Sequence, residues 1–164
     1  MPKQTTEAKK PKLDPKELAF LMQNLDSLTE SQLRVLKDQL DTTVDAVEKE
    51  NCQESFMDFV HKVWPHFIDG AHHQEMAAAF ERVARGECKR LIINMPPRHT
   101  KSEFASYLLP AWFLGKFPKK KIIETAHTAE LAVGFGRKVR NLVDSEVYQS
   151  IFPGVGLQTD SKAA

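Results

Sequence analysis

Between Gly86 and Lys101 the hydrophobic pattern of the chain changes period, and this change limits the possible folds more than any other feature. Upstream, apolar residues recur at helical spacing. At Arg90-Leu91-Ile92-Ile93-Asn94-Met95 they form one short block with a β-branched centre, closed by Pro96 and Pro97. Such a block reads as a buried strand. A second block, Lys121-Ile122-Ile123-Glu124-Thr125-Ala126, follows a helical stretch from Ser102 to about Leu114. Strand, helix and strand in that order predict a βαβ unit with parallel strands and a right-handed crossover. The expected fold class is therefore α/β, with an incomplete parallel sheet because only two strands are legible, and with a helical N-terminal extension ahead of it.

The helices announce themselves by caps and stripes. Asp14-Pro15-Lys16-Glu17 combines a cap residue, a proline at the first helical position and a glutamate at the third, and Leu18, Leu21, Met22 and Leu25 then share a face. Thr29-Glu30-Ser31-Gln32 is a second capping box, followed by the stripe Leu33, Leu36, Leu40, Val44 and Val47. Together these predict a helical hairpin over 14–54. Ser55 caps a further helix whose apolar set is Phe56, Phe59, Val60 and Trp64. Another is expected from about His72 to Arg85, with Met76, Ala79, Phe80 and Val83 inward and Gly86 as its stop. Pro110 should kink the helix after the loop, and Gly115 should end it. From Thr128 to about Asp144, Leu131, Ala132, Phe135, Val139 and Leu142 mark a last inward face. Residues 1–13 are polar and carry Lys3, Lys9, Lys10 and Lys12, which predicts a disordered basic tail. Residues 55–164 then form the main domain.

Chemistry concentrates in the loop Met95-Pro96-Pro97-Arg98-His99-Thr100-Lys101-Ser102-Glu103. Lys-Ser at the mouth of a helix, after a strand, is the setting of a phosphate-binding loop. Free backbone N–H groups and the helix dipole attract an anion there. The lysine reaches the β- and γ-phosphates, and the hydroxyl beside it ligates Mg²⁺. The match to G-x-x-x-x-G-K-[ST] is partial, because Met95 and Thr100 stand where the two glycines belong. If position 100 requires a positive φ, a β-branched residue there is strained. On the residues alone, a loop of some other α/β protein with Lys101 as a solvated surface lysine stays open.

Other features exclude more than they assign. A formal net charge of +1 is no whole-chain signature of nucleic-acid binding. The apolar runs are far too short to cross a membrane, no secretory signal opens the chain, and Cys52 and Cys88 have no paired-ligand spacing. These point to an intracellular protein with reduced thiols. His61, His66, His72 and His73 cluster in sequence, but no cysteine or carboxylate pair completes a zinc set. Lys119, Lys120 and Lys121 offer a local contact for DNA phosphates or form a solvated loop.

The run RLIINMPPRHTKSEFASYLLPAWFLGKFP resembles the ATPase segment of the large terminase subunit of tailed bacteriophages, in which a strand ends in a Pro-Pro-Arg-His-Gly-Lys-Ser loop and an Ala-Trp follows in the helix. Pro96, Pro97, Arg98, His99, Lys101, Ser102, Ala111 and Trp112 carry the match, and similarity extends from Ser55 to the C-terminus. The resemblance implies a P-loop NTPase core that binds ATP and Mg²⁺ and whose hydrolysis drives double-stranded phage DNA into a procapsid. It implies Pro97, Arg98, His99, Thr100, Lys101, Ser102 and Glu103 as the phosphate loop, with Arg98 near the γ-phosphate and Ser102 on the metal. Gln74 or His73 becomes the candidate adenine contact. It further implies the small terminase subunit and the portal protein as partners, a homo-oligomeric ring in the full-length motor, and the host cytoplasm as location. No apolar strand ending in paired acids follows Ser102, and no nuclease cluster is legible, so the expectation is a truncated chain that binds nucleotide with little turnover. The rival expectation is a non-catalytic helical module that docks the small subunit or a neighbouring motor subunit.

Overall fold

The computed structural model describes Gln23 and residues 28–158. The basic tail and the first helix of the expected hairpin lie outside the described residues, apart from Gln23. The chain divides into two compact units, Met1–Val47 and Glu48–Ala164.

Among residues 28–158, six helices follow one another: α1 (Glu30–Glu54), α2 (Phe56–Val63), α3 (Ala71–Ala84), α4 (residues 101–116), α5 (Ala129–Val143) and α6 (Glu146–Ile151). Their starts obey local chemistry. The Thr29 N–H donates to Gln32 Oε1 at 3.0 Å, one arm of the expected capping box. Ser55, Thr128 and Ser145 accept backbone N–H groups at the heads of α2, α5 and α6. The end of α3 is a Schellman turn. Gly86, at φ 78°, donates to the Val83 carbonyl, and the Glu87 N–H reaches the Arg82 carbonyl.

Within the first unit, Leu36 is buried, whereas Leu33 is 41%, Val44 63% and Val47 52% exposed. The α1 stripe is thus largely open among the described residues. The second unit holds the core. Phe56 is fully buried and meets Phe80, Phe104 and Trp112 edge-on, with ring centroids 5.4–5.6 Å apart. Such pairs add about 0.5–1.5 kcal/mol each beyond area burial. The Trp112 indole donates to the Cys52 carbonyl at 3.0 Å, and the Tyr148 hydroxyl donates to the Ala111 carbonyl at 2.8 Å. Both polar tips are thereby satisfied in the interior. Burial, with Glu48 and Asp58 nearby, pushes the Cys52 thiol up to about 11, so it is an inert core group.

The α/β expectation is overturned. Among the described residues there is no strand, so neither the parallel sheet nor the βαβ unit forms. Residues 90–96 and 121–126 run without regular structure; Ile92 is 86% and Ile123 89% exposed. A β-branched run becomes a strand only when a neighbour completes its hydrogen-bond ladder, and neither run supplies one to the other. Among the described residues, the sheet of the P-loop NTPase core expected from the resemblance is therefore absent.

Three helical details also differ. The Pro110 kink takes the form of a π-turn over Phe104–Leu108, inside α4, in which the Leu109 N–H reaches back to the Phe104 carbonyl. Widening the helix just before the proline makes room for its ring and its missing N–H. Gly115 does not end the helix, which continues to Lys116. It is needed for close packing instead, because a Cβ there would lie 2.5 Å from a ring carbon of Phe152. Leu131, expected inside, is 41% exposed, while Leu142 and Val143 are buried.

These spaces give a matched test. Gly115→Ala should destabilise the protein by about 1–3 kcal/mol through overpacking. Gly136→Ala, where a Cβ meets nothing within 4 Å, should stabilise it by about 0.5–1 kcal/mol through helix propensity. Urea unfolding reads both, and a stabilised Gly115→Ala would contradict the packing.

Candidate functional site

Residues 97–103 join the irregular run to the head of α4. Among the described residues, the only non-glycine residues at positive φ are Arg98 (67°) and Thr100 (54°), both in this loop. Left-handed backbone at a side-chain-bearing residue costs on the order of 1–2 kcal/mol, so two instances in three residues must be held by their surroundings. Position 100 does take a positive φ, the condition under which a β-branched residue is strained, and it is occupied by a threonine.

What holds Thr100 is His73. Its Nε2 lies 2.6 Å from Thr100 Oγ1, while the Gly70 N–H donates to its Nδ1 at 2.9 Å. An Nδ1 that accepts carries no proton, so the neutral ring must carry its proton on Nε2 and donate it to Thr100. Thr100 Oγ1 in turn donates to the His99 carbonyl at 2.8 Å. His73 is 6% exposed and packs against the rings of Phe67 and Phe104. Burial first, then the neighbouring His72, pushes its pKa below the ordinary histidine value.

The head of α4 has no side-chain cap, unlike those of α2, α5 and α6. The first N–H groups of a helix have no intrahelical acceptor. Left-handed Thr100 followed by helical Lys101 is the alternation that turns successive N–H groups toward one point, a concavity suited to an anion. Lys101 is half-buried and Ser102 exposed; Pro97, Arg98 and His99 are exposed.

The remaining candidates separate from this point. Glu103 is paired with Lys138 of α5 at 2.7 Å, directed away from any phosphate role. The Gln74 amide donates to Asp69, which holds that carboxyl below its usual range. His73, proposed as an adenine contact, has both ring nitrogens engaged within the protein. It supports the loop from beneath, a role that spacing could not reveal. His72 and His99 come together with it: the His72 and His73 ring centroids are 3.7 Å apart and those of His72 and His99 5.6 Å. Among the described residues, no group of three His, Cys, Asp or Glu side chains is arranged to hold a metal ion. Two open grooves of about 570 and 510 Å³ lie elsewhere, one beside Cys52 and His61, the other along the head of α5.

The opposed effects at position 100 can be separated. Thr100→Ala keeps a strained side chain and loses the hydrogen bond, and should cost about 1 kcal/mol. Thr100→Gly loses the same bond but removes the strain, and should be neutral to within about 0.5 kcal/mol. Equal losses in urea unfolding would show that the left-handed conformation is not what Gly relieves.

No helix among the described residues is long and apolar enough to cross a membrane. Comparison with known protein families, curated proteins and solved structures finds no match to this chain.

Proposed function

We propose that residues 97–103 bind the phosphates of ATP·Mg²⁺, and that the chain is the ATP-binding part of a phage DNA-packaging motor. The observation that carries the first half is the backbone at Arg98 and Thr100. Both are left-handed, both precede an uncapped helix, and Lys101-Ser102 opens that helix. Strain of this kind persists where it presents N–H groups to a ligand. On this reading Lys101 contacts the β- and γ-phosphates, Ser102 ligates Mg²⁺, and exposed Arg98 approaches the γ-phosphate, where a cation offsets developing charge. The second half rests on the resemblance of the Pro-Pro-Arg-His-Thr-Lys-Ser block and the downstream Ala111-Trp112 to large terminase subunits. With it come double-stranded DNA, the small terminase subunit and the portal protein as partners, and the host cytoplasm as the place of action.

A second reading has its own support. Val44 and Val47 are half or more exposed on α1, which suits a helical module that docks the small subunit or a neighbouring motor subunit without turnover.

The two readings part in a melting experiment. Nucleotide binding predicts that ATP·Mg²⁺ raises the melting temperature, in proportion to RT ln(1 + [L]/Kd), and that Lys101→Ala removes the shift. Thr100→Gly should bind ATP no more weakly than the wild type. No shift at millimolar ATP, or a full shift in Lys101→Ala, would reject the phosphate site.

A further inference from the structure

We infer that His73 is the positioning residue of the phosphate loop, and that its neutral, Nε2-protonated ring makes the loop's affinity for ATP·Mg²⁺ depend on pH. This rests on the nucleotide reading above. The geometry assigns each ring nitrogen a separate task. Nδ1 accepts from Gly70, which fixes the ring to the head of α3, and Nε2–H donates to Thr100 Oγ1. One side chain thus ties the start of α3 to the left-handed residue that precedes Lys101. Phe67 and Phe104 pack against the ring, and its two hydrogen bonds select which way the nitrogens face.

Protonation would end this arrangement. A proton on Nδ1 faces the Gly70 N–H, so an acceptor becomes a second donor and the hydrogen bond is lost. The groups around the ring are His72 on its own helix, His99 on the loop and Asp69 in the turn before Gly70. Of these, the two histidines oppose a positive charge on His73 and Asp69 favours it, with burial adding to the opposition. Because the folded pKa lies below the unfolded value of 6.5, the folded protein binds fewer protons there. The contribution of His73 to stability is therefore complete above pH 6.5 and is lost as pH falls through the folded pKa. Loop geometry, and with it nucleotide affinity, should weaken over the same interval.

Two substitutions divide the ring's functions. In His73→Asn the amide oxygen takes the place of Nδ1 and can still accept from Gly70, but nothing reaches Thr100. In His73→Gln the longer side chain places an amide N–H near the position of Nε2. His73→Asn should raise the Kd for ATP·Mg²⁺ by about three- to tenfold, the equivalent of one lost hydrogen bond, while His73→Gln stays within about twofold. In a Thr100→Gly background, His73→Asn should have no further effect, since the bond's acceptor is gone. Between pH 5 and 8 the wild type should show a component of affinity that His73→Gln lacks; comparing the two cancels the titration of ATP itself. Equal losses in the Asn and Gln variants, or identical pH profiles for wild type and His73→Gln, would overturn the inference. Nitrogen-15 NMR of the His73 ring provides a readout that needs no nucleotide. An Nε2–H tautomer with a pKa below the ordinary histidine value is the expected result. An Nδ1–H tautomer, or an ordinary pKa, would sink the strut even if ATP binds. An Nε2–H tautomer in a protein that ignores ATP would reject the nucleotide reading, and with it the pH-dependent affinity, while leaving the loop contact intact.

Discussion

Phe56 stands where three helices meet. Its ring takes the edges of Phe80 from α3 and of Phe104 and Trp112 from α4, and its backbone N–H donates to the Glu81 carboxylate at 2.9 Å. The consequences run outward along α4. Trp112 lies near its C-terminal end and is tied to Cys52, so that end is fixed against the C-terminal turn of α1. Phe104 lies one turn from the helix head and packs on Phe67 and His73. The position of residues 100–102 is thus set by aromatic packing several ångströms beneath them. A loop with two strained residues persists because α4 cannot shift without opening this cluster.

The strain at Arg98 and Thr100 and the burial of His73 belong to one system. A left-handed threonine costs free energy, and the hydrogen bond from His73 offsets part of it. A histidine in that place needs both nitrogens satisfied, which the head of α3 supplies through Gly70. The glycine at the N-cap leaves its own N–H available for the ring, so α3 is capped by its third residue reaching back. The same atoms therefore cap one helix and shape the approach to another.

Local features of the sequence were legible because their causes are local. Ser55 and Thr128 start helices through bonds made within three residues, and Gly86 terminates α3 through its own backbone dihedral; the short helix that Ser145 caps was not anticipated. A positive φ at Thr100 was raised by the sequence only as a condition, because a glycine would sit there in the G-x-x-x-x-G-K-[ST] pattern. Whatever depends on a distant partner was not legible in the same way. The blocks at 90–95 and 121–126 have strand composition, yet a strand is a relation between segments, and no ladder forms between them. Gly115 looked like a helix stop because the approach of Phe152, far along the chain, leaves no trace in the neighbouring residues. The resemblance offered His73 as a candidate adenine contact, and its contacts with Gly70 and Thr100 could not be read from the neighbouring residues.

By itself, then, the sequence determined where several helices begin, where α3 ends, and where a lysine and a serine open the head of α4. Caps, prolines, glycines and the 3.6-residue period act over a turn or less, so their effects are written next to their causes. Tertiary structure alone decided that the β-branched blocks stay unpaired, that a π-turn absorbs Pro110, and that His73 reaches Thr100 from 27 residues away. Each of these outcomes depends on which surfaces meet in space. No pattern of neighbouring residues encodes that meeting.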